Sequence, residues 1–241
     1  MATVFIHGVP DTEHLWDPIR ARLDDRDTIA LSLPGFGCPR PAGFSSTKEA
    51  YVDFVIGEIE RLGEPVDLVG HDWGANFVQR VVSLRPDLVR TWVAGSGIVD
   101  VEMVWHDVAQ QWQTPGVGEQ MMAMMTPEVM TESLSAAGVP AAAAAETAKR
   151  IDAEMKDAIL RLYRSAVRVG AEWQPAVEKI SRPALIIWGA NDPFAEVRLA
   201  ERLAERVRGE LVLLPATGHW WPVERPDAAV AAMRAFWSAH A

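Results

Sequence analysis

Two glycines that bracket a carboxylate, in Gly70-His71-Asp72-Trp73-Gly74, constrain this chain more than any other stretch. The run Val66-Asp67-Leu68-Val69 before them reads as a strand, and after them Phe77, Val78, Val81, Val82 and Leu84 recur at roughly helical spacing between Ala75 and Leu84. A strand, a tight turn and a helix follow one another, and the turn lifts Asp72 clear of both. A serine at such an apex attacks acyl carbon. A carboxylate there is suited to displacing a leaving group from saturated carbon, which leaves an alkyl ester that water must cleave. Read alone, the motif is an ordinary turn with Asp72 capping the helix, so the rest of the chain has to decide.

The strand-and-helix rhythm extends to both ends. Thr3-Val4-Phe5-Ile6 is a buried strand that runs into His7-Gly8-Val9-Pro10; Glu13 to Leu23 reads as helical, and Thr28 to Leu33 is the next strand, closed by Pro34-Gly35-Phe36-Gly37. A Pro- and Gly-rich loop from Cys38 to Phe44 leads to a helix from about Lys48 to Leu62, with Tyr51, Phe54, Val55, Ile59 and Leu62 on one side. Beyond the Asp72 turn, Thr91 to Gly95 is a further strand. Ala184 to Trp188 and Leu211 to Leu214 follow much later, separated by a helix from Glu196 to Val207, and a last helix spans Pro226 to Trp237. Six strands alternating with helices imply an α/β fold, a doubly wound, mostly parallel sheet with right-handed crossovers.

Between Ile98 and about Val177 no β-type run occurs. That stretch holds Met103, Met121, Met122, Met124, Met125 and Met130, an alanine tract from Ala141 to Ala145 behind Pro140, and an amphipathic run from Ile151 to Val169. High helical propensity throughout makes it an inserted helical cap. The expected division is a core of residues 1–97 and 178–241 and a cap of residues 98–177. Methionines there serve as packing or as a deformable apolar pocket wall.

Asp72, Asp192 and His219 each fall just after a predicted strand, on the sheet edge where loops converge on ligands. Their chemistry fits together: Asp72 attacks carbon, and His219, held in one tautomer by Asp192, activates the water that cleaves the ester. Asp100, after the strand ending at Gly95, is the rival for the orienting acid. Composition narrows the partners. The chain has 241 residues, 23 basic against 33 acidic side chains and a formal charge of -10, with no basic stripe, so nucleic acid is not expected. A single cysteine, Cys38, rules out an internal disulfide and a cysteine-based metal site; no metal and no cofactor are expected. The start Met1-Ala2-Thr3-Val4-Phe5-Ile6 lacks the pattern of a signal peptide, and no apolar run reaches the ~18 residues of a membrane span, so the expectation is a soluble cytoplasmic protein.

Together these stretches resemble the α/β-hydrolase superfamily, in particular its aspartate-nucleophile branch of epoxide hydrolases and dehalogenases. The resemblance rests on His7-Gly8-Val9-Pro10, Gly70-His71-Asp72-Trp73-Gly74, Gly189-Ala190-Asn191-Asp192 and Gly218-His219-Trp220, which span nearly the whole chain. It implies an oxyanion hole from the backbone N–H groups of Val9 and Trp73. Leu162-Tyr163-Arg164 is similar to the cap stretch whose tyrosine gives a proton to the opening oxirane in epoxide hydrolases, and Trp112 to Val117 to the other cap segment. The implied function is opening of a small apolar epoxide to a diol through an ester on Asp72, with water as the second substrate.

Departures from the pattern keep alternatives open. A second cap tyrosine is expected where Val108 stands, and Tyr51 and Tyr163 are the only tyrosines in the chain; His106, nearby, is the candidate to supply the missing hydrogen bond. A dehalogenase with the same nucleophile is the alternative, with indole N–H donors for halide from Trp73 and from Trp105 or Trp112. A non-catalytic binding protein of the same fold is the alternative of another class. The family also has two strands ahead of the first one here, which leaves the edge at the Thr28 strand open, covered either by a second subunit, as in a homodimer, or by a tightly charged surface.

Overall fold

The computed structural model describes residues 2–240. Six strands, β1 (Thr3–Ile6), β2 (Thr28–Leu31), β3 (Val66–His71), β4 (Val89–Gly95), β5 (Ala184–Gly189) and β6 (Glu210–Leu214), form one sheet in the order β2-β1-β3-β4-β5-β6. Every pairing is parallel, as the α/β reading requires. The helices, in chain order, are α1 (Asp17–Arg20), α2 (Lys48–Leu62), α3 (Trp73–Leu84), α4 (Asp107–Gln113), α5 (Val117–Met124), α6 (Pro127–Ala136), α7 (Ala141–Lys149), α8 (Ala153–Ser165), α9 (Val169–Val177), α10 (Val197–Val207), α11 (Trp221–Glu224) and α12 (Pro226–Ala239). Helices α4 to α9 stand between β4 and β5, in the stretch without strands.

Side chains of a strand point alternately to its two faces, and here each face has its own core. Val4, Ile6, Leu68, Trp92, Ala94, Ile186 and Trp188 meet α2, α3 and α10 on one side, where α8 and α9 of the insertion also pack. Phe5, Val69, Val93, Leu185 and Ile187 meet Trp16, Trp221, Met233, Phe236 and Trp237 on the other. The strands of the sheet centre are continuously apolar because both faces are covered.

Local chemistry sets the element ends. Thr47 caps α2 by accepting from the Ala50 N–H, and Gly63 ends it in the left-handed region at φ 74°. Asp152 caps α8 by accepting from Met155 N at 2.8 Å. Three expectations shift. The helix expected from Glu13 to Leu23 is a 3-10 turn, Glu13–Trp16, followed by the short α1, because Pro18 sits in the first turn of α1 and marks a fresh start. Strand β2 stops at Leu31, paired with Ile6, and the Leu33 N–H turns to His7 Nε2 instead (3.3 Å). The run from Ile151 to Val169 breaks after Ser165 into α8 and α9.

Register places the site. Ile6 pairs with Gly70, His71 with Gly95 and Gly189 with Leu214, so the carboxyl ends of β1, β3, β4, β5 and β6 open on one edge of the sheet. Val9, Asp72, Ser96, Asp192 and His219 all follow those ends closely. Among the described residues no helix is long and apolar enough to cross a membrane.

Candidate active site

Asp72 links β3 to α3 with φ 54° and ψ -122°, a backbone region that residues other than glycine rarely enter. Its N–H donates to Gly95 O (2.9 Å), and its own carbonyl accepts from Ala75 N (3.0 Å), so the turn is held from both sides. Glycine is required around it because the approach is close. A Cβ on Gly74 would lie 2.1 Å from Ile6 O, and one on Gly8 only 2.2 Å from Asp72 Oδ1. The two carboxyl oxygens have different partners: Val9 N donates to Oδ1 at 2.7 Å, while Oδ2 faces His219 Nε2 at 3.6 Å.

His219 is 4% exposed, and its other nitrogen, Nδ1, lies 2.9 Å from Asp192 Oδ2. Asp192 is fixed in turn, its Oδ1 accepting from Phe194 N (2.9 Å) and Ala195 N (3.1 Å). Burial alone would lower the His219 pKa. The carboxylates of Asp192 and Asp72 on its two sides outweigh that and raise it to about 10. Burial likewise works to raise Asp72 and Asp192, and the imidazole beside each more than offsets it, so both fall below the usual carboxylate range. The resting site is a carboxylate, an imidazolium and a carboxylate. His7 and His71 are held neutral by burial, each lowered to about 4.

Two cavities meet at this group. A larger one of about 560 Å³ is lined by Val9, Trp112, Trp220 and a row of methionines, Met121, Met124, Met125 and Met130. A smaller one of about 110 Å³ is lined by Asn76, Ser96, Met103, Trp105 and Glu196. Asp72, His106, Tyr163, Phe194 and His219 border both. Tyr163 is 3% exposed, and burial together with the charge of Asp72 holds its phenol well above the ordinary tyrosine value, with the Trp73 indole pulling slightly the other way. The phenol therefore stays protonated. His106 caps α4, its Nδ1 accepting from Ala109 N at 3.3 Å, and burial lowers its pKa. A neutral ring that accepts at Nδ1 carries its proton at Nε2.

The profile of the alpha/beta hydrolase family matches residues 3–233. The chain belongs to the alpha/beta hydrolase family. Epoxide hydrolase 3 of Mus musculus is 24% identical to this family member over 251 residues, covering 93% of this chain and 67% of its own. The (E)-2-((N-methylformamido)methylene)succinate hydrolase of Acinetobacter baylyi is 22% identical over 240 residues, covering 97% and 89%. Among solved structures, the haloalkane dehalogenase DbeA from Bradyrhizobium elkani superposes with a TM-score of 0.81 at 22% identity, covering 99% of this chain and 89% of that one. Its identity is low enough that the likeness speaks for the alpha/beta hydrolase fold alone.

Within this alpha/beta hydrolase, Asp72, His219 and Asp192 lie together. Asp100 does not join them: its fully buried carboxylate is taken by Arg202 (3.0 Å), Arg206 (2.6 Å) and the Glu102 N–H (2.7 Å). Of the expected oxyanion donors, Val9 N–H is on Asp72 in the resting site, and Trp73 N–H, at the head of α3, has no intrahelical acceptor. Trp105 lines the smaller cavity, but its indole N–H donates to Ala166 O (3.3 Å), so it is not the halide donor expected as one option. The indole N–H of Trp112 is buried with no hydrogen-bond partner among the described residues, while that of Trp73 lies against the Tyr163 phenol. Tyr51 is occupied elsewhere, donating to Pro34 O at 2.8 Å. Sequence reasoning missed His71 and Ser96, whose Nε2 (2.8 Å) and Oγ (3.2 Å) both approach His219 O and anchor its loop. Position alone could have pointed to Ser96, the first residue beyond β4.

Proposed function

We propose that this protein opens a small apolar epoxide to a diol by way of an alkyl ester on Asp72. The observation that carries the reading is the unequal treatment of the two Asp72 oxygens, with two neutral proton donors bordering the same cavities. Oδ1 is occupied by Val9 N–H, so Oδ2 is the attacking oxygen. As it bonds to an oxirane carbon the carbon–oxygen bond of the ring breaks, and the departing oxygen takes a proton from the phenol of Tyr163, with His106 Nε2–H as a second donor. The methionine-lined cavity suits an apolar substituent.

Esterification removes the negative charge of Asp72. One of the two carboxylates that hold His219 protonated is then gone, so its pKa falls, its proton makes good the one Tyr163 has given up, and the neutral ring can accept a proton from water. The hydroxide so formed attacks the ester carbon, negative charge develops on Oδ1, and the N–H groups of Val9 and Trp73 face it. The bond between the Asp72 carboxyl carbon and Oδ2 cleaves, the diol leaves with Oδ2 and a proton returned from His219, and the proton left on the Asp72 acid passes to His219, which restores the carboxylate and the imidazolium.

A dehalogenase reading has one observation in its favour, the unpartnered indole N–H of Trp112 on the wall of the larger cavity, which is suited to receive a halide. One experiment separates the two. A His219→Gln protein, incubated separately with styrene oxide and with a bromoalkane and then quenched, should carry a mass increase on Asp72 from the epoxide. An adduct from the bromoalkane alone would overturn the epoxide assignment, and no adduct from either would overturn the covalent route.

A further inference from the structure

Asp11 is a buried carboxyl beside the reaction centre for which the chemistry above has no use. It is 3% exposed and follows directly on the His7-Gly8-Val9-Pro10 turn, which its own N–H closes by donating to Gly8 O (3.2 Å). Its Oδ2 accepts from the indole Nε1 of Trp220 at 3.1 Å. Trp220 comes immediately after His219, and the two rings meet edge-on with centroids 4.8 Å apart. One side chain thus joins the loop after β1, which presents the Val9 N–H to Asp72, to the loop after β6, which presents the imidazole.

We propose that Asp11 is a positioning residue for the ester-cleaving half of the reaction, holding the Val9 donor and the His219 base in fixed relation through its bond to Trp220. The inference rests on the two-step reading above. Ester cleavage needs both loops at once, since the base delivers hydroxide to the carbon whose oxygen the donor must stabilise. Attack by Asp72 on an epoxide needs no base and draws on the Val9 N–H only to hold Oδ1. Loss of the tie should therefore fall chiefly on the second half.

Asp11 lies close enough to feel both reacting groups: burial pushes its carboxyl up to about 7, the Trp220 hydrogen bond pulls the other way, and of the two charged groups that reach it, Asp72 raises and His219 lowers it.

Asp11→Asn keeps an oxygen for the Trp220 indole and should cleave the ester within about twofold of the parent rate, whereas Asp11→Leu fills about the same space, removes the acceptor and tests the tie. In single turnovers of styrene oxide by Asp11→Leu, quenched and read by mass, formation of the Asp72 ester should change by less than about twofold while its cleavage slows about tenfold. In the steady state of Asp11→Leu kcat and KM fall together, and Asp11→Asn restores both. Trp220→Phe removes the tie from the other end, should slow cleavage selectively as well, and carries the test if Asp11→Leu does not fold. Equal slowing of both halves in Asp11→Leu alongside a lower Tm, or its cleavage at the parent rate, overturns the inference. If His219→Gln gives no styrene oxide adduct, the two-step reading fails first and this inference falls with it; an adduct combined with an unselective Asp11→Leu removes this inference alone.

Discussion

At Asp72 the backbone holds a residue with a side chain at φ 54°, a conformation that costs on the order of 1–3 kcal/mol and persists only where the surroundings enforce it. Here the Gly95 O and Val9 N contacts do so. Asp72→Asn keeps the shape and removes the nucleophile, and no ester should form with styrene oxide by mass. Tyr163→Phe removes the phenol proton. Epoxide opening should then slow by about 100-fold in single turnovers, and bromoalkane displacement, which creates no alkoxide, should change far less. His219 makes a pH prediction. Its folded-state pKa is raised above the ordinary 6.5, so its contribution to stability is fully present below about 6.5 and is lost as pH rises towards about 10. The Tm deficit of His219→Gln relative to the parent should accordingly be large at pH 6 and shrink by pH 10, as differential scanning fluorimetry would read; a constant deficit would refute the imidazolium assignment.

Among the elements, the turn after β1 and helix α8 do the most to shape the site. A Cβ on Gly8 would stand 2.2 Å from Asp72 Oδ1, so Gly8→Ala must move either the turn or the carboxylate. A displacement of about 1 Å there is worth about 100-fold in rate, and ester formation should fall by that order while circular dichroism still reports a folded α/β protein. Helix α8 brings Tyr163 to the cavities and starts at the Asp152 cap. Asp152→Ala should cost about 1 kcal/mol in urea unfolding. It should also weaken epoxide opening less than Tyr163→Phe does, because the cap is nearly three turns from the phenol.

Across the whole molecule, function gathers at one edge of the sheet and anchorage at the other. Near the start of β3, the fully buried Asp67 carboxylate is shared by Arg26 (2.6 Å), the Thr91 hydroxyl (2.6 Å) and Arg90, tying the loop before β2 to β3 and β4. Asp67→Ala strands two guanidinium groups that are each only about a fifth exposed, so the loss should be about 3 kcal/mol, at the low end for a broken buried pair. Urea unfolding measures it. The folded fraction should keep the parent rate of ester formation, since the cluster lies at the amino ends of the strands.

Much of this architecture was legible in the chain. Apolar runs of strand length, with glycine turns and helical spacing between them, located all six strands; the central four, β1, β3, β4 and β5, are buried on both faces and need continuous apolar sequence, while the partly exposed β2 and β6 stood out by length and flanking turns. The same runs placed Asp72, Asp192 and His219 at strand ends. What the chain could not state is which distant groups become neighbours. Asp100 and Asp192 both follow strands, and only the packing of α10 against β5 and β6 gives Asp100 to Arg202 and Arg206 and leaves Asp192 to His219. Asp11 and Trp220 are 209 positions apart and meet only through the sheet order. Local propensity and periodicity act within a few residues, so the sequence by itself determined the six strands and the carboxylate at the apex of the turn. Burial and through-space charge exist only once the sheet has assembled, and they decided which carboxylate serves the imidazole, which rings stay neutral and where the two loops are joined.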